Sequence, residues 1–129
     1  MNFYTYNIDP TPKPRMTQSD KWKKRDCVMR YRLFADLVRS KNIWFCSGSH
    51  IIFGIRMPQS WSKIKQKSMD GKPHKQRPDI DNLLKSLMDA VFLKDEHIYE
   101  INVKKVWAKN PFIKIEKKKI PDIEEQILN

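Results

Sequence analysis

The chain has 129 residues, of which 40% are hydrophobic and 32% charged, and a formal net charge of +11; that is enough for one domain over residues 1–129 with its own core and no staples. No apolar run approaches the about 20 residues of a membrane span, two cysteines make no disulfide framework, and Cys27 and Cys46 have no zinc-ligand spacing with His50, His74 or His97. So basic a small domain points to phosphate backbones before membrane surfaces, because its cations do not line an amphipathic helix with a broad apolar face.

Met1-Asn2-Phe3-Tyr4 lacks signal-peptide anatomy, so a cytoplasmic setting is expected. Phe3 to Ile8 alternates and reads as a half-buried strand. Asp9-Pro10-Thr11-Pro12-Lys13-Pro14-Arg15 reads as an extended loop, since alternating prolines forbid helix and ladder pairing. Ser19 is placed to cap a helix running to about Lys41, with Trp22, Val28, Met29, Leu33, Leu37 and Val38 on its apolar face and Lys23, Lys24, Arg30 and Arg39 opposite. His50 to Met57 reads as a second strand, and Ser60 as the cap of a short helix through Lys67. Residues 68–77 read as a polar loop with a turn at Asp70-Gly71.

Asp79 or Asp81 then caps a helix to about Phe92, whose Leu83, Leu84, Leu87, Met88 and Val91 recur at helical spacing and face the core. Ile98 to Ala108 reads as a strand. Asn110-Pro111 turns it into a last strand, Phe112 to Glu116, giving a terminal hairpin. The tail from about 118 to 129 is charged and interrupted by Pro121, and reads as a short docked helix or a poorly ordered end.

The informative residues lie at the start of the helix near residue 80. Asp79 and Asp81 are two apart around an extended or capping turn, so both carboxylates can reach one ion. Lys85 follows Asp81 by one helical turn. Magnesium takes oxygen ligands at about 2.0–2.1 Å and keeps several waters, so two or three carboxylates plus a substrate phosphate make an open site. Asp95, after the helix, could fold back as the third ligand, with its neighbour Glu96 the alternative. Such a set suits metal-dependent cleavage of nucleic acid, with Lys85 neutralising charge at the phosphate under attack. Ordinary structure uses the same residues: aspartates cap helices, and Asp81 with Lys85 is a common ion pair. Asp89, one turn after Lys85, reads as its ion-pair partner.

Pro78-Asp79-Ile80-Asp81-Asn82-Leu83-Leu84-Lys85-Ser86-Leu87-Met88-Asp89-Ala90, followed by Lys94-Asp95 and Ile98, resembles the signature of RusA-type Holliday junction resolvases, in forms common in phage and prophage genomes. The likeness extends to Met57-Pro58, Ser60-Trp61-Ser62, Lys72-Pro73-His74 and Lys104-Lys105, and more loosely to Pro12-Lys13-Pro14-Arg15. The resemblance implies a homodimeric α+β endonuclease, a small mixed β-sheet packed with two main helices. It implies binding of branched DNA, especially four-way junctions, and symmetric cutting with Mg2+ or Mn2+, in recombination and repair within a bacterial or phage-infected cell. It also implies catalytic and metal-ligating roles for Asp79, Asp81 and Asp95, and a catalytic role for Lys85. Many members carry Asp-Asp where this chain has Lys94-Asp95. Aligning Asp95 with the second acid keeps Ile98 in register, which assigns Asp95 rather than Glu96.

Arg56, Lys63, Lys65, Lys67, Lys72, Lys75 and Arg77 lie between the second strand and the acidic motif and are candidate phosphate contacts. Lys13 and Arg15, on the proline-stiffened loop, are a second set. His74 reads equally as a phosphate contact or a surface turn residue. Trp61 is a candidate to stack on an exposed base, while Trp22, Trp44 and Trp107 read as core or dimer packing. Two other readings stay open. One is a restriction-type nuclease that pairs Asp79 with Glu116 and Lys118, which leaves Asp81 and Lys85 without a role. The other is a non-catalytic module that binds branched DNA.

Overall fold

The computed structural model describes residues 2–15 and 25–117. They form three helices and a four-stranded mixed sheet, an α+β fold. The chain divides into two compact units, one of the segments Met1–Pro10, Phe45–Gln76 and Glu96–Asn129, the other of the segments Thr11–Trp44 and Arg77–Asp95.

The first unit holds the strands β1 (Asn2–Tyr6), β2 (His50–Arg56), β3 (Asn102–Ala108) and β4 (Phe112–Lys117) and the short helix α2 (Lys63–Met69). The sheet order is β1-β4-β2-β3. β4 runs antiparallel to both β1 and β2, while β3 is parallel to β2. The terminal hairpin expected from Asn110-Pro111 is therefore not formed: β3 and β4 are separated by β2. Burial explains the difference. β2 and β4 meet through Ile51 opposite Ile115 and Phe53 opposite Ile113, and all four side chains are fully buried. The most apolar strands take the middle, and lysine-bearing β3 lies outside them, with the segment around Pro73 bridged to its outer edge at Val106.

Gly54 sits opposite Phe112 in this central pair. A Cβ at Gly54 would overlap the Phe112 ring. Gly54→Ala is thus expected to destabilise the protein by about 1–3 kcal/mol, the usual cost of overpacking. Chemical denaturation would measure it, and adding Phe112→Ala should recover part of the loss.

The second unit is built on α1 (Asp26–Ser40) and α3 (Ile80–Val91), which pack together. α1 begins at Asp26, with Arg25 in extended backbone, rather than at a Ser19 cap. Ser19, Trp22, Lys23 and Lys24 lie outside the described residues. The helix ends in a Schellman turn: Asn42, at φ 53°, donates to the Arg39 carbonyl and Ile43 donates to that of Val38. The buried face is Val28, Phe34, Ala35 and Val38, whereas Met29, Leu33 and Leu37 are exposed. The expected period is right and its phase is partly wrong, because α1 carries two adjacent apolar stripes and period alone does not choose between them.

α3 has one clear stripe. Leu83 and Leu87 are buried and Leu84, Met88 and Val91 half-buried, as expected, with Ser86 and Ala90 also buried. Its C-terminal end is tied to α1 by Arg39 Nε donating to the Ala90 carbonyl at 3.3 Å.

Candidate active site

Asp79 is the N-cap of α3, in extended backbone (φ −69°, ψ 143°) after a cis Arg77–Pro78 peptide. An N-cap aspartate ordinarily spends its carboxylate on the amide of the second or third helical residue. Here the Asp79 side chain makes no such bond and is exposed. Asp81, exposed in the first turn, accepts the neighbouring Asn82 amide on Oδ1 at 2.9 Å. Lys85 is exposed one turn further on and forms no ion pair among the described residues. Among the described residues, Asp79 thus lacks the cap bond, and Asp81 and Lys85 lack the ion pair, that the spacing suggests. Both carboxylates stand at the positive end of the α3 dipole, where anionic groups are favoured.

Asp95, beyond α3, is exposed, as is Glu96. Among the described residues no three histidine, cysteine, aspartate or glutamate side chains gather as a metal-holding group. Asp79 and Asp81 both stand at the first turn of α3, and Asp95 does not join them in a three-ligand cluster among the described residues. The donor set is still suited to a hard cation, since two exposed carboxylates leave the remaining positions to water and substrate phosphate.

Beside this turn lies a cleft of about 470 Å³ lined by Pro12, Lys13, Arg77, Pro78, Asp79 and Asn82. The proline-stiffened loop forms one wall. The Lys13 amide donates to the Asn82 carbonyl at 3.1 Å, and the Lys13 ammonium meets Asp89 Oδ2 at 2.6 Å. Tyr31 donates its hydroxyl to the same oxygen at 3.1 Å. Asp89 therefore pairs with Lys13, not with Lys85 as the helical spacing suggests. A proline loop distant in sequence outcompetes the neighbour one turn away. The hydrogen bond to Asp89 raises the Lys13 pKa, and burial raises that of Tyr31. Arg15 is exposed, with its carbonyl accepting from the Arg25 guanidinium at 2.9 Å.

In the other unit, α2 displays Lys63, Lys65 and Lys67 and buries no residue. Its cap is Ser62, whose hydroxyl accepts the Lys65 amide at 3.2 Å, in place of the expected Ser60. Lys63 and Lys67 line a cleft of about 300 Å³ with Gln66, Asp70 and Lys109. Lys109 is not evident from sequence because it stands alone in a turn rather than in the basic run. The segment after α2 is a polar loop, as expected, and it is pinned along the edge of β3: Gly71 donates to the Trp107 carbonyl at 2.8 Å, Trp107 to that of Lys72 at 2.9 Å, and His74 to that of Lys105 at 3.0 Å. Lys72 and Lys75 remain exposed on it.

His74 is neither a surface turn residue nor placed for phosphate. It is buried against Trp107, with ring centroids 4.2 Å apart. Burial, then the Lys105 charge, lowers its pKa. Trp61 packs on Trp107 at 4.6 Å and carries Lys65 Nζ over its ring at 4.3 Å. Trp107 is thus a core residue as expected, whereas Trp44 is 38% exposed.

The family model described as Endodeoxyribonuclease RusA matches residues 7–117. The chain belongs to the RusA endodeoxyribonuclease family. The match covers the proline loop, α2, the pinned basic segment and the whole of α3. No curated protein matches the chain. Membership of the RusA family fixes the class of activity as cleavage within DNA strands, and no helix among the described residues is long and apolar enough to cross a membrane. The restriction-type pairing gains nothing in this setting. Glu116 stands on β4 between Phe3 and His50, and Lys118 lies outside the described residues.

Proposed function

We propose that this RusA-family chain is a metal-dependent, structure-selective endodeoxyribonuclease that hydrolyses phosphodiesters of four-way DNA junctions as a homodimer. One observation carries the reading. Asp79, Asp81 and Lys85 occupy the exposed start of α3, where Asp79 makes no cap bond, Asp81 uses one oxygen on the Asn82 amide, and Lys85 forms no ion pair among the described residues.

Asp79 and Asp81 would hold Mg2+ or Mn2+ through carboxylate oxygens, with Asp95 as a further ligand. A bound divalent cation supplies Lewis-acid stabilisation to the phosphate under attack. Lys85, one turn below, would supply an ammonium to the charge that grows on the phosphate oxygens. Arg77 presents a guanidinium in the same cleft as Asp79, suited to hold the phosphate backbone. Lys63, Lys65, Lys67, Lys72 and Lys75, with Arg15, supply sequence-independent backbone contacts, which suits a protein that reads DNA shape. Two symmetric cuts need two sites related by a two-fold axis, which favours a homodimer. Recombination or repair of branched DNA, in a bacterial cytoplasm or phage-infected cell, follows from that substrate.

The test is cleavage of a synthetic four-way junction beside a linear duplex of the same sequence. Paired nicks in the junction are expected with Mg2+ and none with a chelator. Equal cutting of the linear duplex, or cutting that persists in chelator, would overturn the reading.

A further inference from the structure

We propose that Lys13 and Tyr31 sequester Asp89 so that it cannot capture Lys85, leaving the Lys85 ammonium free for the substrate phosphate. This positioning role for Lys13 rests on the function proposed above. Asp89 follows Lys85 by four residues on α3, the spacing at which a carboxylate and an ammonium pair across one helical turn. No such pair forms. The Asp89 carboxylate is instead held from outside the helix, by Lys13 Nζ at 2.6 Å and Tyr31 Oη at 3.1 Å, both on Oδ2.

Three features make this bond stronger than its rival. The Lys13 and Asp89 side chains are only 28% and 31% exposed, so solvent screens them less than a surface pair. The Lys13 backbone is already fixed by its bond to the Asn82 carbonyl, so little further freedom is lost. A lysine preceding an acid at this spacing is also the weaker orientation on a helix. The lysine that the sequence offers as a DNA contact is therefore committed to the protein. Its effect on the reaction is exerted through Lys85.

The test is single-turnover junction cleavage, with junction affinity measured separately over a range of salt. An exposed pair at this spacing shifts a population about twofold, and a half-buried carboxylate robbed of its partner attracts more strongly. Lys13→Met is therefore expected to lower the cleavage rate constant about threefold or more. Junction affinity and its salt slope should not change. Adding Asp89→Asn should restore the rate, because the amide cannot hold the ammonium. Lys13→Arg, which keeps the ion pair, should cut at the parental rate.

A double variant as slow as Lys13→Met would overturn the proposal, since general loosening of the helix would not be rescued. A reduced salt slope in Lys13→Met would also overturn it, by making Lys13 a DNA contact. If Lys85→Met itself cuts normally, the underlying functional reading fails first, and that result is separate from the other two.

Discussion

Asp81→Asn is expected to bind four-way junctions like the parent chain and to cut them at least about a thousandfold more slowly, the scale of losing a group that organises the reacting centre. The substitution is conservative where the fold uses the residue. Oδ1 of Asp81 accepts the Asn82 amide, and an asparagine keeps an oxygen for that bond. The side chain is exposed and packs against nothing that would collapse. The lost charge at the helix start costs stability only about 0.3–1 kcal/mol. What disappears is one anionic donor of the proposed set, and the carboxylates left to it, Asp79 and Asp95, would hold a hydrated divalent ion more weakly. Single-turnover cleavage in Mg2+ and gel-shift affinity in chelator separate the two effects. Tighter binding with unchanged cleavage would favour a module in which the acids merely repel DNA.

The arrangement of residues 79–85 on one helix start is more legible in the sequence than the architecture around it. Asp79, Asp81 and Lys85 are close in sequence on one helix start, so helical geometry alone predicts their arrangement. The amphipathic stripe of α3 is similarly local and equally legible. The misreadings share a cause, which is competition from residues distant in the chain. Helical spacing pairs Asp89 with the lysine one turn away, whereas Lys13, 76 positions off, takes it. His74 looks like a turn residue because nothing nearby foretells that Trp107 will cover it. The Asn110-Pro111 turn looks like a hairpin, yet β2 inserts between the strands it joins because Ile51 and Phe53 bury best against β4. Asp95 stands at the limit of local reasoning. It follows α3 by a few residues, and neither helical period nor turn chemistry places it with Asp79 and Asp81.

Lys85→Met is expected to lower the cleavage rate constant about a hundredfold to a thousandfold, the range for removing one preorganised charge from a developing oxyanion. Junction affinity should change little. The ammonium is exposed and forms no ion pair among the described residues, so its removal strands no buried carboxylate and opens no cavity in the core. Methionine keeps most of the aliphatic stem and the helix propensity. Lys85→Arg tests the geometry of the charge: a planar fork is a poor substitute for a compact ammonium if the lysine meets one phosphate oxygen, and only partial activity should return. Lys75→Ala provides the contrast. Lys75 is exposed on the pinned segment, and its loss should weaken junction binding and reduce the salt slope by about 0.9, the value for one phosphate contact. The rate of the bound complex should not move. A Lys85 variant that behaved like the Lys75 variant, binding more weakly and keeping its rate, would make this lysine one more backbone contact and leave the two aspartates without their cationic counterpart.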